Sequence, residues 1–260
     1  MSAEKERPAW YREQVTSISD DARALLETYS RIPPQEVLAH VLSIRDAGFE
    51  YGNYACVGQL RFLDHSLHKS PYYQRIVERL RSGVTLLDAG CCFGTELRYL
   101  VSREGIPGEQ LYGFDIESRF INLGYDLFRD RDSLRSTLVR GDLATPLETS
   151  ENAHLAGVKG NIDVVYASSV LHLWGWDGML AAAKRLVELT SDTPGTMIVG
   201  KQLGSLDAKE CPMPYGVAYR HNVGSMKSFW EQISRETGTR WLVEAETSES
   251  EAVTENRNQW

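Results

Sequence analysis

The chain has 260 residues, of which 42% are hydrophobic and 25% charged, ordinary values for a globular protein with a full core. Its formal net charge of −8 disfavours nucleic acid as a partner, because phosphate backbones attract basic surfaces. No apolar run approaches the roughly 18 residues of a membrane span, and the N-terminus lacks a basic region followed by an apolar stretch. We therefore expect a cytoplasmic protein with neither a signal peptide nor a membrane partner.

The four cysteines predict neither a disulfide framework nor a zinc site. Cys91 and Cys92 are adjacent, which strains any bond between them, and no CxxC pair occurs. His65 and His68 stand three residues apart, as metal ligands often do, but no third ligand accompanies them. We interpret both histidines as surface residues and expect no metal.

Helical patterns follow a polar segment over residues 1–35. Pro34 suits the first turn of a helix with apolar residues at helical spacing, and Gly48 is expected to end it. LRFLDHSLHKS predicts a second helix and YYQRIVERLRSG a third, ended by Gly83. We assign residues 1–82 to a helical N-terminal cap.

Short apolar runs alternate with amphipathic helices over residues 83–247. The predicted strands are VTLLDAG, LYGFDI, STLVRGD, IDVVYASS, GTMIVGKQ and TRWLVEAET, with helices such as TELRYLVSRE and SRFINLGYDLFRD between them. This alternation is typical of an α/β fold with a doubly wound, mostly parallel sheet. Residues 248–260 form a polar tail.

Acidic residues mark the ends of the first three predicted strands. Asp88 precedes a Gly-x-x-x-Gly turn, Asp115 closes the second strand, and Asp142 follows the third. Ligands of doubly wound sheets bind outside the carboxyl ends of the strands. Asp115 can accept both hydroxyls of a ribose, and Asp142 can accept an adenine amino group, with Leu143 over a ring face. Taken singly, Asp115 also fits a helix cap and Asp142 a turn.

The turn after the first strand does not match the dinucleotide fingerprint GxGxxG. Cys92 takes the second glycine position, and Glu96 stands near the third. A nicotinamide-dependent oxidoreductase is therefore disfavoured.

With these motifs in register, the chain resembles the class I S-adenosylmethionine (SAM)-dependent methyltransferases, which have a Rossmann-like fold. The likeness is carried by LLDAGCCFG, LYGFDI, RGDL and IDVVYASSVLH and covers about residues 80–245. The chain differs from this family at two places. Cys92 stands where glycine is usual, and a polar tail stands where a seventh, antiparallel strand is usual. The resemblance implies SAM as cofactor, held by Asp88, Gly90, Cys91, Cys92, Phe93, Gly94, Asp115, Ile116, Asp142, Leu143 and Ser168.

A narrower resemblance covers most of the chain. GCCFG, YACVGQLRFLD and YRHNVGSMKSFWEQISRETGTRW are similar to fungal methyltransferases of secondary-metabolite pathways, several of them meroterpenoid carboxyl O-methyltransferases. This likeness implies methyl esterification of a carboxylate on a small polyketide or terpenoid intermediate. The alternative is a methyltransferase fold that uses SAM without methyl transfer, as a cyclase does, or that only binds a partner. The sequence leaves open O-, N- or C-methylation, and it leaves open the oligomeric state, with a homodimer as one option.

The segment after the fourth predicted strand lies where the acceptor should bind. His172 is a candidate general base, since the pKa of histidine lies near neutrality, or a structural histidine that orients the substrate. Trp174 and Trp176 are candidates for an apolar wall, although core packing explains one of them equally well.

Further acceptor-binding candidates lie in the N-terminal cap. Residues 1–35 include aromatic side chains without an evident core role, so we expect this segment to close over the pocket as a lid. Tyr11 and Tyr54 offer aromatic surface, and Arg61 can hold a carboxylate in a bidentate manner. More often an arginine on a helix face is solvated, or it pairs with a nearby acid such as Asp64.

Overall fold

The structure is a computed structural model that describes residues 7–213 and 216–248. It divides the chain into two compact units, residues 1–141 and 142–260. Each unit contains parallel strands that alternate with helices along the chain.

The first unit places β2 between two parallel neighbours, β1 and β3. Its strands are β1 (Leu86–Ala89), β2 (Leu111–Asp115) and β3 (Thr137–Arg140). Its helices are α1 (Asp20–Thr28), α2 (Val37–Tyr51), α3 (Ala55–Gly58), α4 (Tyr73–Arg81), α5 (Thr95–Glu104) and α6 (Ser118–Phe128). α5 lies between two glycines in the left-handed conformation, Gly94 (φ 66°) and Gly105 (φ 66°), which fix its ends because glycine has no Cβ to clash there.

The second unit pairs β4 (Val164–Tyr166) with β5 (Met197–Val199) in parallel. A separate antiparallel hairpin joins β6 (Lys209–Met213) to β7 (Gly216–Arg220). Its helices are α7 (Ala153–Ala156), α8 (Trp176–Leu189) and α9 (Val223–Thr237). α9 begins with a capping box, in which the side chains of Asn222 and Ser225 each accept a backbone N–H of the other residue.

The α/β fold class and the helical N-terminal region are confirmed, and the first five predicted strands are present. The sixth predicted strand is wrong: TRWLVEAET forms no strand, and Leu242 within it is 90% exposed. Among the described residues, no helix is both long and apolar enough to cross a membrane.

Two helix boundaries in the N-terminal region also differ from the prediction. Gly48 does not end α2 but lies inside it, where a Cβ would come within 2.9 Å of the Phe93 ring, so the glycine serves close packing. LRFLDHSLHKS forms only a short 3₁₀ turn over Arg61–Leu63. Leu60 (φ 61°) and His65 (φ 44°) take left-handed backbone conformations on either side of that turn, and an α-helix cannot pass through them.

The segment before Pro34 contributes to the core of the first unit. Tyr11 is 6% exposed, its ring lies 4.7 Å from that of Phe49, and its hydroxyl donates to Asp46. α1, which the sequence analysis missed, buries Leu25 and Leu26. The expectation that the aromatic residues of this segment have no core role is therefore wrong.

His65 corrects a further expectation. His68 is exposed as predicted, but His65 is only 3% exposed and lies against the ring of Tyr99. Its Nε2 has no hydrogen-bond partner among the described residues. Burial lowers the pKa of His65 to about 4, which keeps the imidazole neutral at pH 7.

Candidate functional site

The turn between β1 and α5 is built from alternating left-handed residues. Gly90 (φ 72°), Cys92 (φ 51°) and Gly94 (φ 66°) all have positive φ, and the N–H of Gly94 closes the turn by donating to the carbonyl of Cys91 at 2.7 Å. Cys92 adopts this conformation despite its Cβ, at a cost of roughly 1–2 kcal/mol. The replacement of the usual glycine therefore leaves the left-handed turn in place.

Asp115, the last residue of β2, holds this turn with its carboxylate. Oδ2 accepts the N–H of Cys92 at 2.9 Å, and Oδ1 accepts the N–H of Glu117 at 2.9 Å. Burial raises the pKa of Asp115, and the two backbone N–H groups oppose that rise by stabilising the charged form. A carboxylate has about four acceptor positions, so Asp115 keeps capacity for a ligand hydroxyl beyond the backbone N–H groups of Cys92, Glu117 and Ile116. Ile116, the next residue, is 50% exposed.

Three other residues predicted to bind the cofactor have buried side chains. Phe93 is fully buried, with its ring 4.6 Å from Phe62, and Cys91 is 7% exposed. Asp88 is 4% exposed, and burial, together with the nearby carboxylates of Glu96 and Asp115, raises its pKa well above the usual range. The side chains of Phe93 and Cys91 therefore pack inside the unit.

Arg98, which was not among the predicted site residues, supports the turn from inside the unit. Its Nη1 donates to the carbonyl oxygens of Phe93 at 2.8 Å and Gly94 at 3.2 Å. The same guanidinium pairs with Asp130, and both side chains are buried. No motif in the sequence pointed to this buried arginine.

Cys56 of α3 also reaches the turn and was missed. A hydrogen bond with the Cys92 thiol lowers the pKa of Cys56. This contact joins the N-terminal region to the turn after β1 through two reduced thiols.

In the second unit, the side chain of Asn152 fixes the loop around Asp142. Asn152 is fully buried, its Oδ1 accepts the N–H of Asp142, and its Nδ2 donates to the carbonyl of Asp142, both at 2.8 Å. The Asp142 carboxylate accepts the N–H of Ala144 at 2.7 Å. The adjacent Leu143 is 3% exposed. Asp142 thus serves as a turn residue, and it remains half-buried.

His172 connects the segments that follow β4 and β5. Its Nδ1 accepts the N–H of Leu203 at 3.3 Å, and its backbone carbonyl accepts Nη1 of Arg220 at 2.7 Å. Nearby, the N–H of Ser169 donates to the carbonyl of Lys201 at 2.7 Å. The parallel pairing of β4 and β5 places these segments at the carboxyl ends of the two strands, where ligands of such folds bind. Ser168 lies half-buried in the first of them.

Comparisons with known proteins identify the family of this chain. Residues 10–63 match the family model described as the meroterpenoid methyltransferase N-terminal domain. The chain is 44% identical to O-methyltransferase phiE from Fungal sp. (strain ATCC 74256) over 93% of this chain and 80% of the relative. It is 36% identical to the asnovolin E/chermesin D methyltransferase nvfJ from Aspergillus novofumigatus, over 92% and 85% of the two chains. The chain belongs to this family of fungal methyltransferases.

Among solved structures, this methyltransferase is similar to magnesium protoporphyrin IX methyltransferase from Synechocystis PCC 6803 with bound SAH. The match covers 77% of this chain and 86% of that one, at 15% identity and a TM-score of 0.46.

Of the two tryptophans predicted near the acceptor, Trp176 has a core contact in this methyltransferase. Its ring lies 4.9 Å from that of Tyr219 and 5.4 Å from that of Phe229. Trp174 is half-buried, and its carbonyl accepts the N–H of Tyr219 at 2.8 Å. Trp176 thus packs against core aromatic rings while staying half-buried itself, and both tryptophans remain candidates for an apolar wall.

The acceptor candidates of the N-terminal region lie in different environments. Tyr54 is 42% exposed, with its ring 5.7 Å from that of Phe120. Arg61 is exposed in its 3₁₀ turn. Tyr11 faces the core of the methyltransferase, and its hydroxyl is engaged by Asp46. Tyr54 and Arg61 are thus accessible to a ligand, whereas the side chain of Tyr11 is almost completely buried.

Proposed function

We propose that this methyltransferase uses SAM to methylate a carboxylate oxygen of a small secondary metabolite, giving a methyl ester. The observation that carries the proposal is the joining of the left-handed turn after β1 to the carboxylate of Asp115. A compact turn with two glycines, which lets a ligand come close to the backbone, beside an acceptor for a ribose diol suits an adenosine-containing ligand. The relatives phiE and nvfJ are methyltransferases, which supports methyl transfer by this chain.

Several of the residues predicted to bind the cofactor suit a particular part of SAM. In the first unit, the turn over residues 90–94 would hold the methionine part and Asp115 the ribose hydroxyls, beside the exposed Ile116. In the second unit, Asp142 would accept the adenine amino group beside Leu143, and Ser168 would add a hydroxyl. When bound, SAM supplies a methyl group activated by a positively charged sulfur.

The hydrogen bond at His172 favours a carboxylate acceptor over a phenol. Because the N–H of Leu203 donates to Nδ1, the neutral imidazole carries its proton on Nε2. A nitrogen that already carries a proton donates a hydrogen bond and does not remove a proton from a substrate. A carboxylic acid, with a pKa near 4, is already ionised at pH 7, whereas a phenol, with a pKa near 10, benefits from a base.

With a carboxylate acceptor, the task of the protein is to position the reactants and exclude water. One carboxylate oxygen forms the new bond to the methyl carbon while the methyl–sulfur bond breaks. The electron pair of that bond goes to sulfur, which becomes neutral, and no proton changes hands. The protein therefore acts by orientation, and His172 contributes as a hydrogen-bond donor.

The test is turnover with methyl-labelled SAM and a panel of aromatic and terpenoid carboxylic acids, each paired with its primary amide. We expect S-adenosylhomocysteine to form together with a product that alkali hydrolyses to methanol and the parent acid. An alkali-stable methylated product would contradict the carboxylate acceptor. A tightly bound cofactor with no turnover on any acid would favour the non-transferring alternative.

The role of Asp115 is tested with the variant Asp115→Asn, which should lower turnover at limiting SAM. The matched control is Glu117→Gln. Glu117 is an acid in the same loop, but its side chain pairs with Arg119. Turnover that falls equally in both variants would count against a specific role for Asp115.

A further inference from the structure

Arg220 differs from the other buried arginines of the described chain in having no acidic partner. Arg45 pairs with Asp46 at 2.8 Å, and Arg98 pairs with Asp130 at 2.7 Å. Arg220 is 9% exposed, but its contacts among the described residues are neutral. Burying a charge without a counter-charge is costly. The second unit therefore keeps a cation whose charge the described residues do not balance.

The contacts that Arg220 does make hold its guanidinium in a fixed position. Nη1 donates to the carbonyl of His172 at 2.7 Å, and Nη2 lies 3.6 Å from Sδ of Met213. A guanidinium has five N–H donors in a planar fork, and these contacts engage two of them. That fork matches the two oxygens of a carboxylate.

The location of Arg220 connects it to the expected acceptor position. The residue to which it donates, His172, also accepts the N–H of Leu203. His172 and Leu203 lie in the segments that follow β4 and β5, at the carboxyl ends of these parallel strands. Tyr219, which precedes Arg220, contacts the ring of Trp176 and donates to the carbonyl of Trp174. The Met213 thioether beside the guanidinium would give an anion bound there an apolar neighbour.

We infer that Arg220 binds the carboxylate of the methyl acceptor, a small monocarboxylic acid with an apolar body. The inference rests on the proposed function and deepens it by naming the residue that recognises the acceptor. The guanidinium would hold the anion and set its direction, while one carboxylate oxygen attacks the methyl carbon and the electron pair of the methyl–sulfur bond goes to sulfur. Arg220 gives up no proton in this step, because arginine stays protonated in proteins. The exposed Arg61 is then not needed to hold the acceptor.

The test measures binding of benzoate and of its neutral counterpart benzamide to the full chain with S-adenosylhomocysteine present. The variants are Arg220→Met and Arg220→Lys, with Arg235→Met as the matched control, because Arg235 is an exposed arginine in the same unit. We expect benzoate, and not benzamide, to raise the melting temperature of the parent and of Arg235→Met. The apparent affinity for benzoate should fall at least tenfold in Arg220→Met and by less in Arg220→Lys.

Several outcomes would overturn the inference. One is a benzoate response in Arg220→Met equal to that of the parent, and another is a parent that responds equally to benzoate and benzamide or to neither. If Arg220→Met does not fold, Arg220→Lys decides, because it keeps the charge but loses the fork, and an unchanged benzoate affinity would count against the inference.

Binding of S-adenosylhomocysteine to the same variants separates this inference from the proposed function. We expect all three variants to bind it within about twofold of the parent. If the parent does not bind S-adenosylhomocysteine, the proposed function is wrong. Benzoate binding measured without S-adenosylhomocysteine then still tests whether Arg220 binds a carboxylate. If methyl esters form equally well in Arg220→Met, the proposed function stands and the inference is wrong.

Discussion

Arg98 and Asp130 form a bidentate ion pair in the interior of the first unit, with Nε to Oδ2 at 2.7 Å and Nη2 to Oδ1 at 2.9 Å. The hydroxyl of Tyr29 donates to the same carboxylate at 2.8 Å. Since Arg98 also donates to the carbonyl of Phe93, the pair connects α1, the end of α6 and the turn after β1.

Arg98→Met should therefore destabilise the protein strongly. Removing one partner leaves a buried carboxylate without its counter-charge, which typically costs about 3–5 kcal/mol. The double variant Arg98→Met, Asp130→Leu should lose less than Arg98→Met alone, because it leaves no buried charge. Urea unfolding followed by circular dichroism measures both. A double variant less stable than Arg98→Met would contradict this account.

Cys92→Gly should keep the turn intact. Glycine adopts a φ of 51° without the Cβ clash, so we expect the free energy of unfolding to stay equal or rise by up to about 1 kcal/mol. Cys92→Val should lower it by about 1–3 kcal/mol, because a β-branched residue is strained at positive φ. Thermal unfolding checks the order of the three proteins. A glycine variant less stable than the parent would show that the contact with Cys56 matters more than the backbone conformation.

Asp115→Asn should weaken the binding of S-adenosylhomocysteine by at least about 1 kcal/mol, roughly fivefold, because a charge-assisted hydrogen bond to the ligand is lost. The NH₂ group of the asparagine would also face the backbone N–H of Cys92 or of Glu117, so that two donors would stand opposite each other. Calorimetry gives the affinity, with Glu117→Gln expected within twofold of the parent. An unchanged affinity in Asp115→Asn would remove Asp115 from the ribose site.

His172→Ala should slow methyl transfer by no more than about tenfold beyond any loss of substrate positioning. The loss of a true general base typically costs about 10²–10⁴-fold. Single-turnover rates from about pH 6 to pH 9 make the comparison, since a neutral histidine base shows its titration in that range. A loss of about a thousandfold with both ligands still bound, together with the disappearance of a rise through the histidine pKa, would favour a phenol acceptor.

His65 should make the stability of the protein depend on pH below neutrality. Its pKa is about 4 in the folded state and near 6.5 in the unfolded chain, so the unfolded chain binds the proton first. The stabilisation is complete above about pH 6.5 and is lost as the pH falls towards 4, by up to about 1.4 kcal/mol per pH unit.

The variant His65→Asn tests this, because asparagine tolerates a left-handed backbone and does not titrate in this range. Its free energy of unfolding should fall less steeply than that of the parent between pH 6.5 and 4. Because burial also lowers the pKa of His221 to about 4, a residual slope should remain. Equal slopes in the parent and the variant would contradict the assignment to His65.

The sequence predicted the local elements well where the pattern was strong. TELRYLVSRE forms α5 between two glycines, and LYGFDI forms β2 with Asp115 at its end, because apolar spacing and left-handed glycines act within a few residues. TRWLVEAET failed because a strand also needs a partner for its backbone hydrogen bonds, and a short apolar alternation does not provide one.

The sequence by itself determined the α/β alternation, the acidic strand ends and the family resemblance, all of which follow from residue type and spacing along the chain. Tertiary structure alone decided which side chains are buried and what they contact. It placed Tyr11 in the core and bonded Arg220 to the carbonyl of His172. Within the part of the chain that the structure describes, it gave Nε2 of His65 no hydrogen-bond partner and Arg220 no acidic one. Burial and charge pairing depend on contacts between residues far apart in the chain, so local spacing does not encode them.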